Sequence, residues 1–102
     1  MIARVWRGAT RAEDAAAYAD YVERSGMEAA RELPGSRATL VLHRIDGDRA
    51  EFVTVLLFDS LEDVRAFAGD DLERARFFPE DDDWLVERDL EVRHYEADLR
   101  LG

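Results

Sequence analysis

The sequence contains no cysteine, lysine, asparagine or glutamine, and only two of its 102 residues are proline. The absence of cysteine excludes disulfide bonds, thiolate metal sites and cysteine nucleophiles. Because asparagine and glutamine are missing, no side-chain amide is available to any site. All 14 basic residues are arginine, and 24 acids outnumber them, which leaves a formal net charge of -10. Such a surface repels phosphate backbones over roughly 10 Å, so nucleic acid is not an expected partner.

Long apolar runs are also missing. Hydrophobic residues make up 47% of the chain, but no stretch approaches the ~18 consecutive apolar residues of a membrane helix. The opening residues, MIARVWRGAT, show no basic-then-apolar export signal. We therefore expect a cytoplasmic protein that does not associate with membranes. A single domain over residues 1–102 is expected, because two halves would each be too small to bury a stable core.

Hydrophobic periodicity predicts the element order strand, helix, strand, strand, helix, strand. Alternating apolar residues indicate strands at residues 2–7, 37–46, 48–58 and 85–99. Asp46-Gly47 separates the second strand from the third, and Asp-Gly between apolar runs favours a tight hairpin. The order matches an α+β, ferredoxin-like βαββαβ sandwich. Right-handed crossovers then give a four-stranded antiparallel sheet of order 4-1-3-2 with both helices on one face.

The first helix is predicted over residues 11–33. Thr10 and Glu13 have the spacing of a capping box, in which hydroxyl and carboxylate each accept a hydrogen bond from the other residue's backbone N–H. Ser25-Gly26 falls in the middle of this segment and is expected to bend or break the helix. Pro34-Gly35 is expected to end it.

The second helix is predicted over residues 59–69 with Ser60 as its N-cap, and a further helical turn over residues 70–78. The segment RFFPEDDDWL then places four acids, residues 80–83, between aromatic residues. Four consecutive carboxylates of an extended segment cannot all converge on one cation, so no metal site is predicted. The run is interpreted as a solvated loop. The alternative is a lid whose inward-facing residues are Phe77, Phe78 and Trp84.

Strand three is apolar on both faces, because Phe52, Leu56 and Phe58 alternate with Val53, Val55 and Leu57. Helices on one side of the sheet would leave a broad apolar surface on the other side. A second copy of the chain, related by twofold symmetry, would cover this surface. The pattern therefore predicts a homodimer.

The element order, with MIARVWRG at the start, LLFDSLEDVRAFAG in the middle and HYE near the end, resembles the antibiotic biosynthesis monooxygenase family of dimeric α/β barrels. The resemblance implies two four-stranded sheets that face each other across a dimer, with the helices outside. The family includes cofactor-free oxygenases of aromatic polyketides, quinol oxygenases, heme-degrading enzymes and many proteins of unknown role.

The heme-degrading branch of this family uses an Asn in strand one, a Trp at the end of strand three and a His after the second helix. The resemblance assigns Val5, Phe58 and Phe77 to these positions, and all three are apolar. Heme degradation with axial histidine ligation is therefore disfavoured. No cofactor is expected.

The only imidazoles are His43 and His94. The predicted sheet order places them on opposite edge strands, too far apart to share one site within a subunit. His94 is the candidate general base, because Glu96 on the same strand face would orient the ring and raise its basicity. A structural histidine held in a hydrogen bond is the alternative. Strand arginines covered by a dimer partner would each need a carboxylate, since an unpaired buried charge is costly.

Two functions remain open. By resemblance, the first is a cofactor-independent monooxygenase acting on an aromatic or quinol-type small molecule. In such an enzyme His94 or a tyrosinate would remove a proton, and Tyr95 or Arg4 would stabilise the developing oxyanion. The second is a non-catalytic small-molecule-binding or dimerisation domain of the same fold. The residues expected to line the pocket, for which ordinary core packing is the alternative, are Val5, Trp6, Tyr18, Tyr21, Phe58, Phe67, Phe77 and Phe78.

Overall fold

The computed structural model describes all 102 residues. Its strands are β1 (Ile2–Arg11), β2 (Ser36–Asp46), β3 (Arg49–Phe58), β4 (Leu85–Arg88) and β5 (Arg93–Glu96). Its α-helices are α1 (Ala15–Val22), α2 (Glu28–Arg31), α3 (Leu61–Ala68) and α4 (Asp81–Trp84). A 3-10 turn, Ala12–Asp14, precedes α1, and a π-helical turn, Glu23–Met27, joins α1 to α2.

The strands form one antiparallel sheet in the order β2-β3-β1, and both β4 and β5 pair with β1. The predicted α+β class and the order 4-1-3-2 are confirmed, since β4 and β5 together occupy the place of the predicted last strand. The prediction of one continuous last strand was wrong. Residues 89–92 leave the sheet because Leu90 and Val92 exchange backbone hydrogen bonds with Ala75 and Glu73 instead.

The first helical segment is interrupted at the predicted bend, where the π-helical turn contains Ser25-Gly26. The Ser25 hydroxyl donates a hydrogen bond to the Tyr21 carbonyl in this turn. The predicted capping box was wrong, because no side chain caps the start of the segment. Thr10 instead belongs to β1, where it is buried opposite Ala50 of β3.

Two of the predicted local signals are confirmed. Ser60 caps α3 by accepting a hydrogen bond from the Asp63 backbone N–H at 3.3 Å. Gly47 turns the β2–β3 hairpin with a φ of 66°, a value that favours glycine. The predicted helical turn over residues 70–78 was wrong. Its backbone carbonyls and amides bond to Arg4 and to residues 90–92, which holds the segment in an irregular path over the sheet.

The sheet has two different faces. Its inner face packs against α1, α2 and α3, and the side chains of Phe52, Leu56 and Phe58 are buried there. Its outer face carries Val53, Val55 and Leu57 of β3 beside apolar residues of β2. On β2, Leu40 is 52% exposed and Leu42 is 48% exposed. The predicted broad apolar surface is therefore present. No helix is long and apolar enough to span a membrane.

Candidate functional site

A cavity lies between the inner face of the sheet, the helical segment 15–31 and the irregular segment 70–80. Its walls are mostly apolar and aromatic, and its volume is about 50 Å³ for water-sized molecules, which is room for a few waters. The predicted residues that line it are Arg4, Trp6, Tyr18, Phe67, Phe77 and Phe78. The residues that sequence patterns did not predict include Ser25, Gly26, Thr54, Arg76, Asp81 and Val92.

Arg4 projects from β1 into this cavity and is only 3% exposed. Its Nη1 donates to the Leu72 carbonyl at 2.6 Å, and its Nη2 donates to the Arg74 carbonyl at 2.8 Å. None of the ion pairs in the structure includes Arg4. The expectation of a carboxylate partner concerned arginines covered by a dimer partner, whereas Arg4 is buried on the inner face under the segment 70–80. Burial lowers the pKa of Arg4 to about 10, so the guanidinium stays charged at neutral pH.

His94 lies next to Arg4, and its Nε2 is 3.2 Å from the Nη1 of Arg4. Because a guanidinium can only donate, Nε2 must accept, and the ring proton of a neutral His94 is then on Nδ1. Burial and the nearby Arg4 charge lower the pKa of His94, while Glu73 opposes them. Glu96, the expected orienting carboxylate, is not among the groups that shift this pKa. The neutral imidazole therefore serves as an acceptor for Arg4.

Asp81 is the one acidic residue in the cavity wall, and it is only 5% exposed. Its Oδ1 accepts a hydrogen bond from the Tyr18 hydroxyl at 3.2 Å, and its Oδ2 accepts one from the Phe78 backbone N–H at 2.7 Å. The acids at 80–83 were interpreted as a solvated loop, and this was wrong for Asp81. The residue begins α4, whose first turn directs Asp81 inward, while Asp82 and Asp83 remain exposed.

Burial raises the pKa of both side chains in the hydrogen-bonded pair of Asp81 and Tyr18. Burial is the largest effect on Asp81 and raises the pKa of its carboxyl, although the hydrogen bonds from Phe78 and Tyr18 oppose the shift. Burial and the adjacent Asp81 raise the pKa of Tyr18 far above its ordinary value. Tyr18 therefore keeps its proton at neutral pH and does not supply a tyrosinate base.

Arg76 is the exposed residue of the cavity wall, and with the partly buried Phe77 and Phe78 it marks the mouth of the cavity. The Arg76 guanidinium lies over the Phe67 ring at 4.9 Å and over the Phe78 ring at 4.8 Å. Phe77 contacts Trp6 edge-on, with ring centroids 6.2 Å apart. The mouth is thus formed by flat groups in mutual contact, which is a suitable environment for a flat ligand.

Several residues predicted for the site lie elsewhere. Val5 and Tyr95 share the outer face of the sheet. Their chain neighbours Arg4 and His94 are paired with each other across β1 and β5 and face inward, and successive strand residues point to opposite faces. Tyr21 is buried in the core, where its hydroxyl accepts a hydrogen bond from the Glu80 backbone N–H. Phe58 is also a core residue and does not line the cavity. The two imidazoles lie on opposite edges of the sheet, as expected.

The sequence carries a weak signal for the missed carboxylate. Asp81 is followed by Trp84 three residues later and Leu85 four residues later, which is the spacing of one helical face. Trp84 and Leu85 both pack against the core. The signal is visible only if residues 81–84 are taken as a helical turn, whereas a run of four acids indicates a solvated segment.

The lining residues do not fit a heme held by a histidine. No imidazole is among them, and the Nε2 of His94 already accepts a hydrogen bond from Arg4. Phe77 lines the cavity at the position that the resemblance assigns to the axial histidine. An iron ligand of that kind is therefore missing from this cavity.

Solved structures with the same fold cover nearly the whole chain. A candidate antibiotic biosynthesis monooxygenase from Nitrosomonas europaea has a TM-score of 0.63 at 18% identity, covering 95% of this chain and 98% of its own. A variant of MhuD with two manganese protoporphyrin IX molecules per active site has a TM-score of 0.59 at 18% identity, covering 100% and 99%. The heme-degrader MhuD from Mycobacterium tuberculosis, with two hemes in its active site, has a TM-score of 0.58 at 17% identity, covering 100% of both chains.

The sequence itself matches no protein-family model and no curated protein. The fold of the chain is nevertheless shared with these solved structures over nearly its whole length. The resemblance to antibiotic biosynthesis monooxygenases is confirmed at the level of the fold, and the structural neighbours are monooxygenase-like and heme-degrading proteins.

Proposed function

We propose that this chain is a homodimeric, cofactor-independent monooxygenase that acts on an aromatic or quinol-type small molecule in the inner cavity. The observation that supports this proposal most is the composition of the cavity wall. Aromatic rings surround a buried guanidinium, Arg4, that has no carboxylate partner. Apolar walls with a few convergent polar groups are typical of small-molecule sites.

The reaction proposed for an anthrone-like substrate converts a CH₂ group and O₂ into a ketone and water. A base removes one proton, and the resulting enolate transfers one electron to O₂. The substrate radical and superoxide then form a C–O bond, and the peroxide anion takes up a proton. Loss of the second C–H proton with cleavage of the O–O bond releases water and leaves the ketone. Arg4 stabilises the enolate oxygen, because a fixed donor in a desolvated cavity acts strongly on developing charge.

Asp81 is the base that the cavity favours in this scheme. It is the only carboxylate in the lining, and its raised pKa makes it a better proton acceptor than an exposed aspartate. His94 is a poorer choice, because its Nε2 already accepts a hydrogen bond from Arg4. Tyr95 lies on the outer face of the sheet and is half exposed. We therefore assign the catalytic roles to Arg4 and Asp81.

Oxygen consumption with a panel of anthrones and quinols tests this proposal. We expect wild-type protein to consume O₂ with at least one substrate, and Arg4→Gln and Asp81→Asn to lower kcat by roughly 100-fold, the scale for loss of one oxyanion donor or general base. Asp83→Asn is the matched control, because this exposed carboxylate belongs to the same helix. No oxygen uptake by wild-type protein with any compound would contradict the proposal.

The homodimer is part of the proposal and has its own test. Leu40 and Leu42 belong to the exposed apolar outer face, which a second sheet would bury. Leu40→Glu is expected to shift sedimentation of the protein from dimer to monomer at micromolar concentration. Leu61→Glu is the control, because Leu61 is 45% exposed at the start of α3, which packs on the opposite, inner face of the sheet. A monomeric wild-type protein would refute this part.

The size of the cavity favours a second candidate function, a non-catalytic small-molecule-binding or dimerisation domain. The volume of about 50 Å³ is well below the several hundred Å³ typical of ligand pockets. Ligand binding without oxygen uptake would support this candidate. Loss of oxygen uptake in Asp81→Asn with unchanged binding would instead support the enzyme.

A further inference from the structure

Arg4 has more hydrogen-bond donors than the protein uses. A guanidinium carries five N–H groups. Two on Nη1 are directed to the Leu72 carbonyl and His94, and one on Nη2 is directed to the Arg74 carbonyl. The Nε–H and one Nη2–H therefore have no protein acceptor. These two nitrogens lie on one edge of the guanidinium, the edge that can hold both oxygens of a carboxylate side-on.

The charges around Arg4 leave this edge uncompensated. Arg76 adds a second positive charge at the mouth, and His94 is neutral. Glu73 acts on His94, but it makes no ion pair with Arg4. Asp81 belongs to the same cavity, but it makes no ion pair and its oxygens accept hydrogen bonds from Tyr18 and Phe78. Desolvating a guanidinium without a counterion is costly. A bound anion would offset this cost, which a neutral ligand of the same shape cannot do.

We infer that the unused edge of Arg4 is a carboxylate-binding subsite and that the cavity takes a small aromatic monocarboxylate. The carboxylate occupies the Nε and Nη2 edge, and the ring lies among Trp6, Phe67 and Phe78. Arg76 covers the same ring from the mouth. This inference rests on the location of the proposed active site and specifies the class of its ligand. For such a ligand Arg4 binds the carboxylate instead of an enolate oxygen, because its other three N–H groups are directed to Leu72, His94 and Arg74.

Binding of such a ligand requires the segment 70–80 to move outward, because a benzene ring exceeds the space for a few waters. Arg4 tethers this segment to the sheet, and Arg76, which belongs to the segment, tethers it to α3. Arg4 holds the carbonyls of Leu72 and Arg74, and Arg76 donates to the Phe67 carbonyl at 3.0 Å. Because the carboxylate binds the unused edge of Arg4, the tethers to the Leu72 and Arg74 carbonyls stay in place. The movement is therefore expected in the residues that follow Arg74.

Titration of the ¹⁵N-labelled 102-residue chain with benzoate and with benzamide tests the inference without any oxygenation reaction. Benzamide has the same shape but no charge. We expect benzoate to bind roughly tenfold or more tightly than benzamide, given the strength of charge-assisted hydrogen bonds. The largest amide shifts are expected in β1 around Arg4 and in the segment 70–80. Equal binding of the two compounds, or no binding of benzoate by wild-type protein, would overturn the inference.

Variants separate the subsite from general charge attraction. Arg4→Gln is expected to abolish the preference for benzoate, and Arg4→Lys to retain part of it, because lysine keeps the charge but lacks the fork. Arg24→Gln is the control, since Arg24 is an exposed arginine in the adjoining π-helical turn. An equal loss in Arg24→Gln would also refute the subsite. Benzoate binding together with no oxygen uptake would leave the subsite standing and refute the enzyme.

Discussion

Replacement of Asp81 with alanine tests the most unexpected feature of the fold, a buried carboxylate within a run of four acids. The change removes the acceptor of two hydrogen bonds, one from the Tyr18 hydroxyl and one from the Phe78 backbone N–H. Both donors would be left in a desolvated environment. Asp81→Asn is the near-isosteric comparison, because its amide oxygen can still accept from Phe78 and its amide nitrogen can donate to Tyr18.

Two opposing effects determine how much stability the Asp81→Ala change removes. An unsatisfied buried donor costs about 1–3 kcal/mol, so the two donors together would cost about 2–6 kcal/mol. Removal of a desolvated charge offsets part of this, since burial outweighs the hydrogen bonds in raising the pKa of Asp81. We therefore expect Asp81→Ala to lower the free energy of unfolding by about 2–3 kcal/mol. In a chain of this length, that lowers Tm by roughly 8–24 °C. Asp81→Asn should remain within about 1 kcal/mol of wild type.

Thermal and urea denaturation followed by circular dichroism, at one protein concentration, measures these differences. Asp83→Ala is the matched control and should stay within about 0.5 kcal/mol of wild type, as is usual for exposed residues. The pH dependence supplies a second check. A folded carboxyl with a raised pKa binds its proton more tightly than the unfolded one. The contribution of Asp81 to the free energy of unfolding therefore falls as pH rises above the ordinary carboxyl pKa of 3.8. The Asp81→Asn variant should not show this fall in stability with rising pH. An Asp81→Ala protein as stable as the control would refute the burial of this carboxylate.

The remaining predictions concern stability. Ser60→Ala should lower it by about 1 kcal/mol through loss of the α3 cap, measured by urea denaturation; an unchanged midpoint would contradict that cap. Gly35→Ala should cost at least about 1 kcal/mol, because φ at Gly35 is +84° and a Cβ there would contact the Asp63 side chain. The lowered pKa of His94 means that the folded state binds its proton less tightly. The contribution of His94 to stability is therefore present above its ordinary pKa of 6.5 and is lost as pH falls below that value toward the lowered pKa of the folded state. As pH falls below 6.5, the His94→Gln variant should lose less free energy of unfolding than wild type does. A stability-versus-pH curve identical to that of wild type would count against the contact between His94 and Arg4.

Much of the fold is predictable because its signals are local. The alternation within β3, the Asp46-Gly47 hairpin and the Ser60 cap each depend on residues a few positions apart, and all three are observed. The capping box at Thr10 failed because a long-range strand pair competes with it. Thr10 is held opposite Ala50 in the sheet, so β1 extends past the predicted start of the helix.

The sequence by itself determined the α+β class, the strand order and an apolar outer face, because periodicity and turn chemistry specify which residues must be buried. Only the tertiary structure decided which charges are buried with them. Arg4 meets its acceptors on Leu72 and Arg74 across 68 and 70 residues of sequence, and Asp81 meets Tyr18 across 63. No local pattern marks such pairs. The polar groups of the cavity are therefore a property of how the segment 70–84 packs on the sheet and helices.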